Sequence, residues 1–362
     1  MHRLQFLLGT VASTMLMLGL SGCGSSSIAG AGSGANRINT PSVSSSYYSD
    51  YTESYNVPWV GSPNFSNLTS TLKVHAQVNG GDTESYTVDT GSVGFIVPAS
   101  QVPNIPSGSP TGSITYSSSG LRLDGVWATV PVTFPDAVNQ DGDNVAASST
   151  IPVLAVSTAT CTGSGVNSAN CTATIPHMMG IGFGRSTTVQ TSPVYNVALN
   201  LDEMAAGTMR RGYMIKRDGL DLGLTSSNVG NSFGTQQLTS AGTPAAGTHN
   251  DWVTPSGGVI VGSGASELTG TVLLDTGLLD MIVEDSTLPQ SGTVDSGTQL
   301  TIYIGSHDYV ITVGGSSGAT PTSVNYASAS HGTFVNTGLR ALYHYDVLFD
   351  ADDGLYGLWY IQ

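Results

Sequence analysis

The sequence predicts an all-β protein of two homologous lobes with a cleft between them. Three observations predict it. Short runs of β-forming residues, such as residues 71–78, 126–134 and 301–313, are separated by Gly, Pro, Asn and Ser. Charged residues are only 10% of the 362, and 46 are Gly, which excludes a long-helix or coiled-coil chain. The third is an internal repeat. Residues 89–103 (DTGSVGFIVPASQVP) and 275–289 (DTGLLDMIVEDSTLP) align without a gap at an offset of 186, with seven of fifteen positions identical. Each copy follows apolar β-formers, Tyr86 and Val88 in one case, residues 272–274 in the other. Each is followed by a Ser-Gly turn and a strand containing Tyr: Ile114-Thr115-Tyr116 and Thr301-Ile302-Tyr303. Two copies half a chain apart read as duplicated lobes, not as a solenoid.

The elements follow in order. Residues 1–22 read as a leader, with Arg3 as its basic start and residues 4–20 as an apolar run too short for a confident membrane span. It ends Leu20-Ser21-Gly22-Cys23, which resembles the lipobox of bacterial lipoproteins. The resemblance implies that Cys23 is acylated and becomes the mature N-terminus. Gly24 after it, in place of Asp, implies the outer membrane. The expected location is therefore a bacterial cell envelope, reached through an N-terminal lipid anchor and facing the periplasm or the surface. Residues 23–54, rich in Ser, Gly and Ala, read as a flexible tether. Residues 55–190 are assigned to the first lobe, 191–210 to an inter-lobe helix and connection, and 211–362 to the second lobe. Ser192 as cap, Pro193 in the first turn, an apolar face of Val194, Val197, Ala198 and Leu201, and Gly207 as stop predict that helix. A weaker helix is expected over residues 338–343.

With Cys23 lipidated, two of the three cysteines remain. Cys161 and Cys171 flank a Gly/Ser/Asn stretch in a compartment that permits disulfides, so they are expected to pair and close a surface loop. Neither CxxC nor HExxH occurs, and no metal or other cofactor is expected. The balance of 10 Lys+Arg against 25 Asp+Glu, a formal charge of −15, argues against a nucleic-acid partner. The Asp350, Asp352, Asp353 cluster lacks EF-hand spacing and reads as a charged turn. Gly180, Gly182 and Gly184 precede no dinucleotide-binding unit. Ser306-His307-Asp308 holds triad residue types, but adjacent side chains on a strand diverge.

The chemistry rests on the repeat. One Asp-Thr-Gly in a Gly- and Thr-rich chain is a turn. Two at equivalent positions of two lobes allow a pseudo-twofold axis to bring Asp89 and Asp275 face to face. Two carboxylates in one site cannot both ionise cheaply, so the pair holds one proton between them. The ionised member can act as general base on a bridging water, and the protonated member can donate to a substrate carbonyl. Gly91 and Gly277 permit the tight turns, and Thr90 and Thr276 are small donors that can cross-link the loops.

These residues resemble the pepsin-like aspartic peptidases, the single-chain bilobal family. The resemblance implies that Asp89 and Asp275 are the catalytic dyad and that Thr90 and Thr276 lock the two loops. It implies that Ser92 hydrogen-bonds the outer oxygen of Asp89, and that Ile114-Thr115-Tyr116 is a flap placing Tyr116 over the substrate. Met178-Met179-Gly180 matches the element packed behind the first loop, and residues 347–358 match the C-terminal hairpin. The implied activity is that of an aspartic endopeptidase, acting as a monomer on a peptide or unfolded protein. The low basic content leaves few ion pairs to break on acidification and suits acid activity.

The departures are specific. Leu278 stands where the family has Ser, Thr or Ala, so Asp275 is expected to lose a hydrogen bond. Ile96 replaces a Trp, so Tyr116 is expected to lack its usual partner. Asn336-Thr337-Gly338 is a weak second copy of the apolar-apolar-Gly element. No Lys/Arg-rich pro-segment follows Cys23. Two other readings stay open: an inactive lipoprotein of the same fold that binds peptides or glycans, and a surface structural or adhesive β-protein.

Overall fold

The computed structural model describes residues 42–361, apart from residues 44, 166–167, 187–189, 231–232 and 246. The leader, Cys23 and the first part of the tether lie outside the described residues. No helix among the described residues is long and apolar enough to cross a membrane.

Three large sheets make the body. The N-terminal sheet has seven strands in the order Lys73–Val78, Glu84–Asp89, Met178–Ile181, Val93–Pro98, Ala147–Cys161, Leu121–Phe134, Thr111–Thr115. The first strand also pairs with Leu121–Phe134, which curls the sheet towards closure. Alternation does the work at its edge: in Lys73–Val78 the residues Val74, Ala76 and Val78 are buried and their neighbours are not. Val93–Pro98, by contrast, is buried at five successive positions, as expected for a strand covered on both faces.

The C-terminal sheet has eight strands in the order Ser291–Thr293, Val324–Ala327, Met281–Glu284, Thr333–Asn336, Leu268–Leu273, Ser256–Val261, Gln299–Ile304, His307–Thr312. The repeat is visible in its register. In the first lobe Met178 pairs with Thr87 in parallel and with Ile96 in antiparallel fashion. In the second, Asn336 pairs with Leu273 in parallel and with Ile282 in antiparallel fashion. Leu273 and Ile282 are Thr87 and Ile96 displaced by the offset of the repeat, so Asn336 is the counterpart of Met178 and Gly338 that of Gly180.

The third sheet joins the lobes and is built from distant pieces of the chain. Its order is Ser42–Val43, Phe233–Gln237, Leu355–Tyr360, Tyr345–Asp350, Gly212–Ile215, Gly219–Leu222, Tyr55–Pro58, Val138–Asn139. The expected division at residues 190 and 211 is corrected accordingly: strands from the start, middle and end of the chain form a shared layer. One apolar core runs through all three, from Val74 and Val88 through Tyr213 and Phe349 to Val272 and Val335.

Two further expectations are corrected. Residues 45–54 are not flexible tether. Ser45–Tyr48 is a 3-10 turn, and Tyr48 is fully buried beside Met214, Phe233 and Leu348. Tyr47, Tyr48 and Tyr51 set their rings around the Arg210 guanidinium at 5.3, 5.2 and 5.9 Å, and Arg210 pairs with Asp350 at 2.7 Å. The inter-lobe helix is broken into Ser192–Tyr195, a 3-10 turn Val197–Leu199, and Asp202–Ala206. Two Asn side chains compete with the helical ladder. Buried Asn196 accepts from the Ala198 N–H at 2.9 Å and donates to the Ile181 carbonyl at 2.7 Å. Asn200 donates to the Pro193 and Asn196 carbonyls. Ser192 does not cap; its hydroxyl accepts the Arg185 N–H at 2.9 Å. Gly207 does end the last turn, in the left-handed conformation at φ 78°. The weaker helix is a 3-10 turn, Leu339–Tyr343.

Candidate active site

The two Asp-Thr-Gly loops meet at the pseudo-twofold axis. Each follows the parallel-paired strand of its lobe, and each Thr reaches across to the opposite loop. The Thr90 N–H donates to Thr276 Oγ1 at 3.1 Å, and the Thr276 N–H donates to Thr90 Oγ1 at 3.0 Å. The hydroxyls in turn donate to main-chain carbonyls, Thr90 to Leu274 at 2.5 Å and Thr276 to Val88 at 2.7 Å. Thr276 is fully buried and Thr90 nearly so, so four satisfied polar groups clamp the loops in a low-dielectric setting.

The clamp sets the carboxyls against each other. Asp89 accepts from the Gly91 N–H at 2.7 Å, and Asp275 accepts from the Gly277 N–H at 2.8 Å. Each carboxyl also lies over the glycine of the other loop. A Cβ on Gly91 would stand 2.3 Å from Asp275 Oδ2, and one on Gly277 would stand 2.5 Å from Asp89 Oδ1. Both glycines are therefore required for close approach. Asp89 and Asp275 are both buried, each carboxyl facing the opposite loop across the axis.

Their outer oxygens are held differently. Ser92 Oγ donates to Asp89 Oδ2 at 2.5 Å. Leu278, at the equivalent position, has no hydroxyl to offer. The loss expected for Asp275 does not follow: Asn336 Nδ2 donates to Asp275 Oδ2 at 2.6 Å, while Asn336 Oδ1 accepts from the Gly338 N–H at 3.0 Å. Asn336 is the site residue whose hold on Asp275 sequence reasoning misses. Leu278 and the polar Asn336 depart together from the pattern of the first lobe, and the folded register shows that one departure offsets the other.

Burial and repulsion from Asp275 push the Asp89 carboxyl well above the ordinary carboxylate range, against the Ser92 and Gly91 hydrogen bonds that favour its charge. The folded state thus binds this proton more tightly than the unfolded chain. Its stabilising contribution is complete below the unfolded pKa of roughly 4 and is lost as pH rises through the folded one. Asp89→Asn is therefore expected to melt higher than the parent near pH 7. The difference should shrink towards zero below about pH 4, as thermal unfolding monitored across that range will read.

Over the dyad lies a hairpin of Thr111–Thr115 and the outer end of Leu121–Phe134, with Tyr116 opening its turn. Tyr116 lines the cleft with Asp89 and Asp275, as do Ser92, Leu278 and Asn336, around a volume of about 530 Å³. Ile96 packs with Leu123, Trp127 and Tyr116, and offers no donor. The Tyr116 hydroxyl is buried facing Ser92 and Asp89 without a well-formed hydrogen bond. Met179 and Ile181 are buried behind the first loop, and a Cβ on Gly180 would strike the Val93 backbone at 2.7 Å.

Cys161 and Cys171 form a disulfide, with Cα atoms 6.0 Å apart. The loop it closes braces the hairpin. Leu121 pairs with Cys161, and the Thr162 N–H and Oγ1 both donate to the Gly120 carbonyl at 2.9 Å. Replacing both cysteines by Ser is expected to cost roughly 3 kcal/mol of unfolding free energy through the released loop entropy. It should also speed amide exchange over residues 116–121 relative to the rest of the lobe.

No protein-family model matches the chain, and no curated protein sequence does. Solved structures do match it. One is the crystal structure of aspartic proteinase from Irpex lacteus, at 17% sequence identity over 85% of this chain and 97% of that chain, with a TM-score of 0.55. The chain therefore has the two-lobed, all-β fold of the pepsin-like aspartic proteinases.

Proposed function

We propose that this protein is an aspartic endopeptidase. The observation that carries the reading is the buried, cross-linked pair Asp89 and Asp275 at the centre of an open cleft. In this reading one proton sits on the pair. The ionised carboxyl takes a proton from a water bridging the two, and the water oxygen attacks the peptide carbonyl carbon. The protonated carboxyl donates to the carbonyl oxygen, giving a neutral tetrahedral diol. The carboxyl that took the water proton passes it to the departing nitrogen while the other carboxyl takes a proton from a diol hydroxyl, so the C–N bond breaks to acid and amine and the pair again holds one proton. The substrate lies extended and pairs its backbone with the hairpin that carries Tyr116. The Tyr116 hydroxyl, short of a partner in the protein, is a donor available to it.

Asn336 supports turnover over mere binding, since it restores the donor that Leu278 removes. The expected result is cleavage of an unfolded protein at acidic pH, blocked by a statine-type peptide and absent in Asp89→Ala. Peptide affinity with no turnover at any pH would instead leave a binding protein. We further propose that the enzyme is carried on a bacterial outer membrane by lipid on Cys23. The support is the Leu20-Ser21-Gly22-Cys23 motif. Incorporation of labelled palmitate, lost in Cys23→Ala, is the expected result.

A further inference from the structure

Arg185 is the one cationic side chain among the described residues lining the cleft. Two other arginines of this acidic chain are matched to carboxylates: Arg122 to Asp124 at 2.6 Å, and the largely buried Arg210 to Asp350 at 2.7 Å and to Asp353. Arg185 is not. Its Nε donates to the Phe183 carbonyl at 3.3 Å and its Nη2 to the Thr254 hydroxyl. No carboxylate among the described residues stands within ion-pair distance of it. The carboxylates that attract it from further off, Asp275, Asp251 and Asp89, are already occupied. Asp251 accepts from the Gly184 N–H at 2.9 Å and the Ser186 hydroxyl at 2.6 Å, Asp89 accepts from Ser92 and the Gly91 N–H, and Asp275 accepts from Asn336 and the Gly277 N–H. The other acid in the lining, Glu284, meets His331 at 3.0 Å.

A guanidinium that is partly desolvated, fixed by two protein acceptors and left without a counter-ion has unspent capacity for a bidentate anion. We propose that Arg185 is a specificity residue of the cleft and binds a substrate carboxylate, so that the preferred substrates are acidic peptides. The two sources of that group, an internal Asp or Glu side chain and a chain-terminal carboxylate, share this chemistry. For cleavage the proposal rests on the peptidase reading; for binding it does not.

The test uses the full protein and peptides that differ only in Glu against Gln at each position flanking one cleavable bond. A further pair has a free or amidated C-terminus. Measurements are made near pH 5.5, where a glutamate is ionised. The expected result is one position, or the free terminus, at which the acid is favoured roughly tenfold in kcat/KM, a ratio that falls to about one in Arg185→Met. Arg185→Glu should turn the preference towards Lys at that position. The same pairs built as uncleavable reduced-bond peptides give the ratio in affinity. No acid preference in either format, or a preference that survives in Arg185→Met, overturns the proposal. An Arg185-dependent affinity ratio without cleavage of any peptide upholds it and overturns the peptidase reading instead.

Discussion

Asp89→Asn and Asp275→Asn should each lower kcat/KM for peptide cleavage by more than about a thousandfold, with the fold intact. An amide cannot exchange the proton that the mechanism moves twice, so neither half of the pair can cover for the other. The two losses should not add: the double variant is expected to be no worse than either single one, since the pair works as a unit. Affinity for an uncleavable peptide should change far less, because the cleft walls and the hairpin are untouched. Steady-state kinetics on a fluorogenic peptide, with inhibitor titration alongside, reads both quantities.

Asn336→Leu should cost roughly 10- to 100-fold in kcat, the worth of one hydrogen bond to a buried carboxylate. The substitution keeps the volume and removes the donor to Asp275 Oδ2. Losing a donor to the charged form makes ionisation of the pair harder, so the acid limb of the pH–rate profile should move to higher pH. Leu278→Ser in the same chain should recover part of the activity. The pseudo-twofold axis places residue 278 where Ser92 stands in the first lobe, and Ser92 donates to Asp89 Oδ2 at 2.5 Å. A merely structural role for Asn336 predicts no rescue and no movement of the acid limb.

This compensation marks where the sequence stops being legible. The Asp-Thr-Gly repeat is readable because both copies obey the same local constraints: a glycine where a Cβ would strike the opposite carboxyl, and a Thr whose hydroxyl serves the opposite loop. The hairpin bearing Tyr116 and the disulfide are readable for the same local reason. Asn336 is not, because its meaning depends on a partner 61 residues away, and the pairing of Asn336 with Leu273 and Ile282 appears only in the folded register.

The shared sheet is illegible on similar grounds, since Tyr55–Pro58 pairs with Gly219–Leu222 and no periodicity records so long a separation. Average composition hides the order of residues 45–54. Ser and Gly dominate the composition of the tether, while three tyrosines decide its fate by packing on Arg210. Asn196 and Asn200 break the helix that the apolar spacing predicts, because side-chain hydrogen bonds to the backbone are invisible to hydrophobic spacing.

The pH dependence of kcat/KM on a single unstructured peptide tests the central claim most directly. A pair sharing one proton predicts a bell, with one apparent pKa below and one above the ordinary carboxylate value and its maximum in acid, abolished by Asp275→Asn. Cleavage that persists in that variant, or a protein that leaves the peptide whole at every pH while binding it, would contradict the account.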